Sequence, residues 1–461
     1  MNKNPILNTD SYKPSHWLQY ADGTEYISYY IESRGGKWNE ITWFGLQGTL
    51  KEYFTTQITI EMIDFAEKFL TAHGEPFNRE GWEYIVREHN GYLPFEVYSV
   101  PEGLTVPGRN AMARIVNTDP KCFWLGSYVE TALLRGSWYG TTVATQSREI
   151  KKIILDALER TGDPAGIMFK LHDFGARGVS SFESAGIGGA AHLVNFMGSD
   201  TISGILYAQE YYNTEAMVAF SIPAAEHSTQ TLLGRKGEKQ QQMRMVEQFG
   251  GKYPLIAVVS DSYDIYASVV RWATEFRQAV IDSGSCIVVR PDSGKPSEVV
   301  LKVLETFEEA LPAGDVTVNE KGYKVLPGFF RVIQGDGINI DSIKEILDTI
   351  IAAGWSADNL AFGMGGALLQ QINRDTLKFA MKASAARING EWVEVYKDPI
   401  TDPGKVSKKG QLTLVRDDYN NYRTVELSAV GDQVDVMELV YRNGKMVKEW
   451  TFEEVRSNAA M

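Results

Sequence analysis

Seven short apolar runs constrain this chain more than any other feature of it. Each ends in an acidic residue, a histidine or a glycine, and a helix-like stretch follows. The run ends read "FKLHDFG", "NFMGSD", "AFSIPAAEH", "IAVVSDS", "IVVRPDSG", "RVIQGDG" and "LAFGMGG". Their marker residues Asp173, Asp200, His227, Asp261, Asp292, Asp336 and Gly365 stand roughly 27 to 44 residues apart, the length of a strand–loop–helix unit. The repeat predicts an α/β barrel, irregular or incomplete, over 166–384. A doubly wound open sheet is the alternative. Both architectures bind ligands where the strands end.

The flanking segments have a different texture. Residues 1–165 mix aromatic pieces such as "YISYYIESRGG" with helical ones such as "IEMIDFAEKFLTAH" and "SREIKKIILDALERTG". Residues 385–461 read as strands, with "RNGK" as a hairpin turn. We expect both segments to build one additional mixed α/β, β-rich domain. A formal net charge of −13 argues against a nucleic-acid surface or an anionic membrane as partner. No apolar run is long enough to span a bilayer, and two distant cysteines fit no metal spacing. The expectation is a cytoplasmic protein without structural disulfides.

The run ends carry the chemistry. Phe174 and Arg177 in "HDFGARG" place an aromatic and a cation at the predicted mouth, where Arg suits an anion. Arg290 and Asp292 in "RPDSGKP", with Asp261 and Asp264 in "SDSYD", offer oxygen ligands for ribose hydroxyls or Mg²⁺, although an Asp here also serves as a helix N-cap. "IQGDGIN" and "FGMGG" are glycine turns of the kind that bind phosphate through backbone amides. Arg374 and Lys382 follow on what reads as the next helix. "KDPITDPGKVSKKG" is a lysine-rich loop, either solvated or a phosphate-facing flap. His227 in "SIPAAEHST" sits in a helix-capping neighbourhood or in a site. Taken together, the mouth suits a phosphorylated sugar.

These strings, with "NTDSYKPSHWLQY", "ESAGIGGAAHLVNFMGSDT" and "NLAFGMGGALLQ", occur in family order over nearly the whole chain. They resemble the nicotinamide phosphoribosyltransferases of the type II phosphoribosyltransferase family. The resemblance implies a homodimeric enzyme that joins nicotinamide to 5-phosphoribosyl-1-pyrophosphate, requires Mg²⁺, and couples ATP hydrolysis through a phosphohistidine at His227. It implies that Glu226 orients that ring. Phe174 and, from the partner subunit, Tyr12 would sandwich the nicotinamide. Asp200 would accept from its carboxamide, with Arg290, Ser221 and Ser260 around the base. Asp292, Gly335 and Asp336 would meet the ribose. Arg177, Arg34, Gly365, Gly366, Arg374 and Lys382 would hold phosphate. Asp264 and Asp292 are the magnesium-side candidates.

Two departures, Ala176 in "HDFGARG" and Met364 in "FGMGG", bear on the pocket rim. The rival reading is nicotinate phosphoribosyltransferase, against which an anionic Asp200 argues. An aldolase would want a lysine at a strand end, and only Lys170 comes near, inside the first run. A binding protein that had lost the chemistry would not keep His227, Asp292 and the glycine turns.

Overall fold

The computed structural model describes residues 4–401 and 405–460, and three residues of the lysine-rich loop, 402–404, lie outside it. The chain forms two units. One comprises 1–145, 207–216 and 373–461, the other 146–206 and 217–372.

A seven-stranded antiparallel sheet dominates the first unit. In spatial order its strands are Glu391–Glu394, Phe379–Ile388, Thr24–Ser33, Ala111–Asn117, Phe95–Ser99, Glu438–Arg442 and Lys445–Met446. N-terminal and C-terminal segments therefore share one sheet. Two tight turns close its hairpins, Asn389–Gly390 and Asn443–Gly444. All four residues have positive φ, which Asn and Gly tolerate and which matches the twist of paired strands. The boundaries differ from those expected at 165 and 384. Helix Leu125–Thr161 ends just short of the first one, and the units divide within that helix, between Thr145 and Gln146. At the second, Phe379–Ile388 pairs with Thr24–Ser33, so "RDTLKFAMKAS" turns out to be a 3-10 turn and the start of a strand rather than a helix.

The second unit is built on six parallel strands, in spatial order Gly198–Ser199, Leu171–Asp173, Leu360–Met364, Phe330–Gln334, Cys286–Arg290 and Leu255–Val259. Runs such as "LIAVV" and "CIVVR" are rich in β-branched residues and buried along most of their length, as strands covered on both faces must be. The seventh run, "AFSIPAAEH", is not a strand. It touches both sheet edges through single bridges, Gly198 with Phe220 and Ala224 with Ala257. Hydrogen bonds from Ser199 N–H to Phe220 O (3.2 Å) and from Ala257 N–H to Pro223 O (2.9 Å) belong to these bridges. The six strands and this seam close an irregular α/β barrel. Pro223 lacks the N–H that a regular ladder would need.

Helices return between the strands with ordinary caps. Asp264 accepts from Ala267 N–H (3.0 Å) and starts Ile265–Ala273, and Asn339 with Ser342 forms a capping box ahead of Ile340–Ala352. The helix expected after His227 is two helices, His227–Thr231 and Gly234–Phe249, broken where Gly234 takes φ +65°.

Candidate active site

Because every strand of the barrel runs the same way, the residues after the strands gather at one mouth. Phe174 follows the strand Leu171–Asp173, its N–H bonded to Met364 O (2.9 Å). Its ring lies half-buried against Ala257, Val288 and Ile333. Gly363 admits that ring: a Cβ there would stand 1.9 Å from Phe174 Cε2. Below it, the buried Asp173 accepts from Gly175 N–H (2.7 Å), and burial pushes its carboxyl up to about 6. Asp173 O also accepts from Asp200 N–H (2.9 Å), which ties the second strand end to the first.

Asp200 faces the mouth. Ser221, in the seam, donates to Asp200 Oδ1 at 2.5 Å. Six residues further on, His227 is half-exposed, with Nε2 3.0 Å from Asp261 Oδ1 and Nδ1 3.8 Å from Asp292 Oδ2. An ionised carboxylate only accepts, so Nε2 is the nitrogen that donates to Asp261, while Nδ1 makes no hydrogen bond to Asp292 at its longer distance. Asp261 is almost fully enclosed, its side chain 5% exposed. Its Oδ2 accepts from Asp292 N–H (3.0 Å) and Ser293 Oγ (2.6 Å).

Asp292 Oδ1 lies 3.7 Å from Arg290 Nε, a buried nitrogen without a hydrogen-bond partner among the described residues. Burial raises the Asp292 carboxyl above its ordinary value, against the pull of Arg290. Gly335 adjoins both groups: a Cβ there would be 3.4 Å from the Phe174 ring and 3.7 Å from Asp292 Oδ1. Asp336 is exposed beside it, and its carbonyl accepts from Gln334 Nε2 (2.9 Å). Gly366 borders open space, and its Cα would be 3.4 Å from a Cβ on Gly178, in the turn that carries exposed Arg177.

The mouth therefore brings together Phe174, Arg177, Asp200, Ser221, His227, Arg290, Asp292, Gly335, Asp336, Gly365 and Gly366. Three expected residues have other duties. Asp264 caps a helix, and of the two "SDSYD" carboxylates it is Asp261 that reaches His227. Glu226 does not meet the histidine ring; its carboxylate accepts from Ser228 Oγ while Asp261 holds the ring. Ser260 turns into the core, where it donates to Val258 O (3.0 Å) and accepts from Trp272 Nε1 (3.3 Å). The signal that separates Asp261 from Asp264 was present in "SDSYD". Asp264, directly ahead of the first helical residue, caps the helix, while Asp261, two residues past the strand, is left to bond His227, Asp292 N–H and Ser293.

Tyr12, Arg34, Arg374 and Lys382 belong to the antiparallel-sheet unit. Tyr12 is 55% exposed, and Arg374 lies in a short 3-10 turn, paired with Asp375 at 3.3 Å. Lys382 sits opposite Tyr30 in the sheet. Burial lowers its ammonium, as do the neighbouring cations Arg34, Lys397 and Lys13, against the pull of Glu130. Sequence reasoning did not single out Lys13 or Lys397.

Residues 169–444, more than half of the chain, match the nicotinate phosphoribosyltransferase (NAPRTase) family. The chain belongs to that family. Within the NAPRTase family, residues 4–97 also match the N-terminal domain of nicotinamide phosphoribosyltransferase. The chain is 53% identical to the nicotinamide phosphoribosyltransferase of Xanthomonas campestris pv. campestris (strain 8004), over 99% of this chain and 98% of that one. It is 30% identical to the enzyme of the same name from Acinetobacter baylyi, over 99% and 97%. The NAPRTase-like fold recurs in the crystal structure of nicotinate-nucleotide pyrophosphorylase from Pyrococcus furiosus (TM-score 0.63, 16% identity, 99% and 94% covered). It recurs in human nicotinic acid phosphoribosyltransferase (0.56, 14%, 98% and 92%).

Proposed function

We propose that this protein is a nicotinamide phosphoribosyltransferase of NAD biosynthesis, a pentosyltransferase that makes nicotinamide mononucleotide and pyrophosphate. The observation that carries the choice of base is the Asp200–Ser221 pair beside Phe174. Ser221 spends its proton on Asp200 Oδ1, which leaves Asp200 as an anionic acceptor. Such a group accepts from a carboxamide NH₂ and repels the carboxylate of nicotinate. Phe174 offers the aromatic face on which a pyridine ring stacks.

In the reaction the pyridine nitrogen bonds to ribose C1 as the bond from C1 to the pyrophosphate oxygen breaks. Electrons flow from the base to the leaving group, and no proton need move. The protein's work is to hold the two partners in line and stabilise charge. Asp292 and the backbone of Gly335 and Asp336 flank the ribose, while Arg177, Gly365 and Gly366 face its phosphates. Mg²⁺, when bound, neutralises the pyrophosphate. The donors fit such an ion, since all are oxygens. Asp292 is the residue to hold it, because its two oxygens stand 3.7 Å and 3.8 Å from Arg290 and His227 and keep open lone pairs.

ATP enters through His227. Nδ1 attacks the terminal phosphorus, an N–P bond forms, and the bond to the bridging oxygen of ADP breaks. The Nε2 proton stays on the ring against Asp261, and water later releases phosphate. Tyr12 and Arg34, from a second copy of the chain, complete the site in a cytoplasmic homodimer. Asp200 weighs against nicotinate as the base.

One assay grid tests this reading: 5-phosphoribosyl-1-pyrophosphate and Mg²⁺ with nicotinamide or nicotinate, with and without ATP, for wild type and His227→Ala. Nicotinamide mononucleotide should form, faster with ATP, and His227→Ala should lose the ATP effect. Turnover of nicotinate in place of nicotinamide would overturn the assignment of Asp200.

A further inference from the structure

Among the described residues, Asp261 alone hydrogen-bonds both the histidine ring and the Asp292 turn. One oxygen holds His227 Nε2 at 3.0 Å. The other takes Asp292 N–H at 3.0 Å and the Ser293 hydroxyl at 2.6 Å. We propose that Ser293 is a positioning residue: its hydroxyl fixes Asp261 so that the phosphoryl state of His227 and the placement of the Asp292 turn become one linked equilibrium. The inference rests on the reading of His227 as the phosphoryl carrier.

The physical argument starts from the carboxylate. It is planar, and its side chain is 5% exposed, so most of its hydrogen bonding comes from protein donors, although Ser293 itself lies at the surface. With Ser293 and Asp292 N–H both on Oδ2, rotation about the Cβ–Cγ bond is locked, and Oδ1 stays aimed at Nε2. Phosphorylation of Nδ1 withdraws electrons from the ring and makes Nε2–H a stronger donor. That pull passes through the rigid carboxylate to Oδ2, and so to the turn carrying Asp292. Without the hydroxyl, Oδ2 keeps one backbone donor and the carboxylate is free to pivot, so the ring and the turn become independent. Linkage then works both ways: whatever settles on the Asp292 turn must favour phosphorylated His227 by the same factor.

The test uses full-length wild type, Ser293→Ala and Ser293→Thr, with radiolabelled ATP and no nicotinamide. Acid-labile label on His227 is measured at equilibrium with and without 5-phosphoribosyl-1-pyrophosphate. In wild type the phosphoribosyl donor should shift the labelled fraction. In Ser293→Ala that shift should shrink about tenfold, the size expected of one hydrogen bond to a charged acceptor, while ATP alone still labels the protein. Ser293→Thr, which keeps the hydroxyl, should retain the shift. A wild-type shift in Ser293→Ala, or a loss in Ser293→Thr as complete as in Ser293→Ala, would overturn the proposal. Wild type that takes no label would instead overturn the phosphohistidine reading, and the linkage with it.

Discussion

Asp173 shows how one side chain is spent on holding others. Its Oδ1 takes Gly175 N–H and its backbone oxygen takes Asp200 N–H, so it braces both turns that present Phe174 and Asp200. Burial raises its carboxyl to about 6, above the ordinary range for an unfolded chain. A raised acid binds its proton more tightly when folded, so its stabilising effect is complete at low pH and is lost as pH rises towards 6. Asp173→Asn keeps the acceptor and removes the titration. Relative to wild type the variant should therefore gain stability, on the order of 1 kcal/mol, between about pH 5 and pH 7. Urea midpoints of both proteins at the two pH values measure it, and a constant difference would refute the assignment.

At the scale of elements, the floor of the mouth depends on a strand without a side chain at one point. Strand Leu360–Met364 passes under Phe174, and Gly363 leaves room for the ring. Gly363→Ala puts a methyl 1.9 Å from Phe174 Cε2, so the ring must move off its seat. Overpacking of this kind costs about 1–3 kcal/mol. The KM for nicotinamide should rise about tenfold or more, with that for the phosphoribosyl donor little changed. Steady-state kinetics decides, and an unaltered nicotinamide KM would mean that Phe174 does not carry the base.

The strands of this barrel were legible because β-branched runs ending in Asp or Gly have few other readings. Two elements were not. "RDTLKFAMKAS" is made of good helix formers, and only pairing with Thr24–Ser33 makes Phe379–Ile388 a strand. The seam at Phe220–Ala224 reads as a seventh strand, yet it pairs only through single bridges to two edges that are remote in sequence. Among the candidate site residues, Phe174, Asp200 and Asp292 stand at strand ends that the sequence marked, His227 stands at a marked run that is not a strand, and Ser221 entered only through the family resemblance. Asp261 and Ser293 could not be ranked, because their value lies in bonds to each other and to His227.

For the whole molecule, the division of labour between the units is the testable matter. His227 and Asp292 lie in the barrel unit, Tyr12 and Arg34 in the other. If the sites are shared between two copies, Asp292→Ala and Tyr12→Ala should each be nearly inactive alone. Mixed, dissociated and reassembled, they should recover about a quarter of wild-type activity, because half the dimers are mixed and each mixed dimer has one intact site. Sites built within one chain would give no recovery.

The barrel's closure has a further consequence. Six of its staves are fastened by ladders, and the seventh position is a clasp of isolated backbone hydrogen bonds with a proline in it. His227 begins three residues past that clasp. Unfastening it costs a few hydrogen bonds and leaves every ladder intact, so His227 can change its setting while the barrel stays whole.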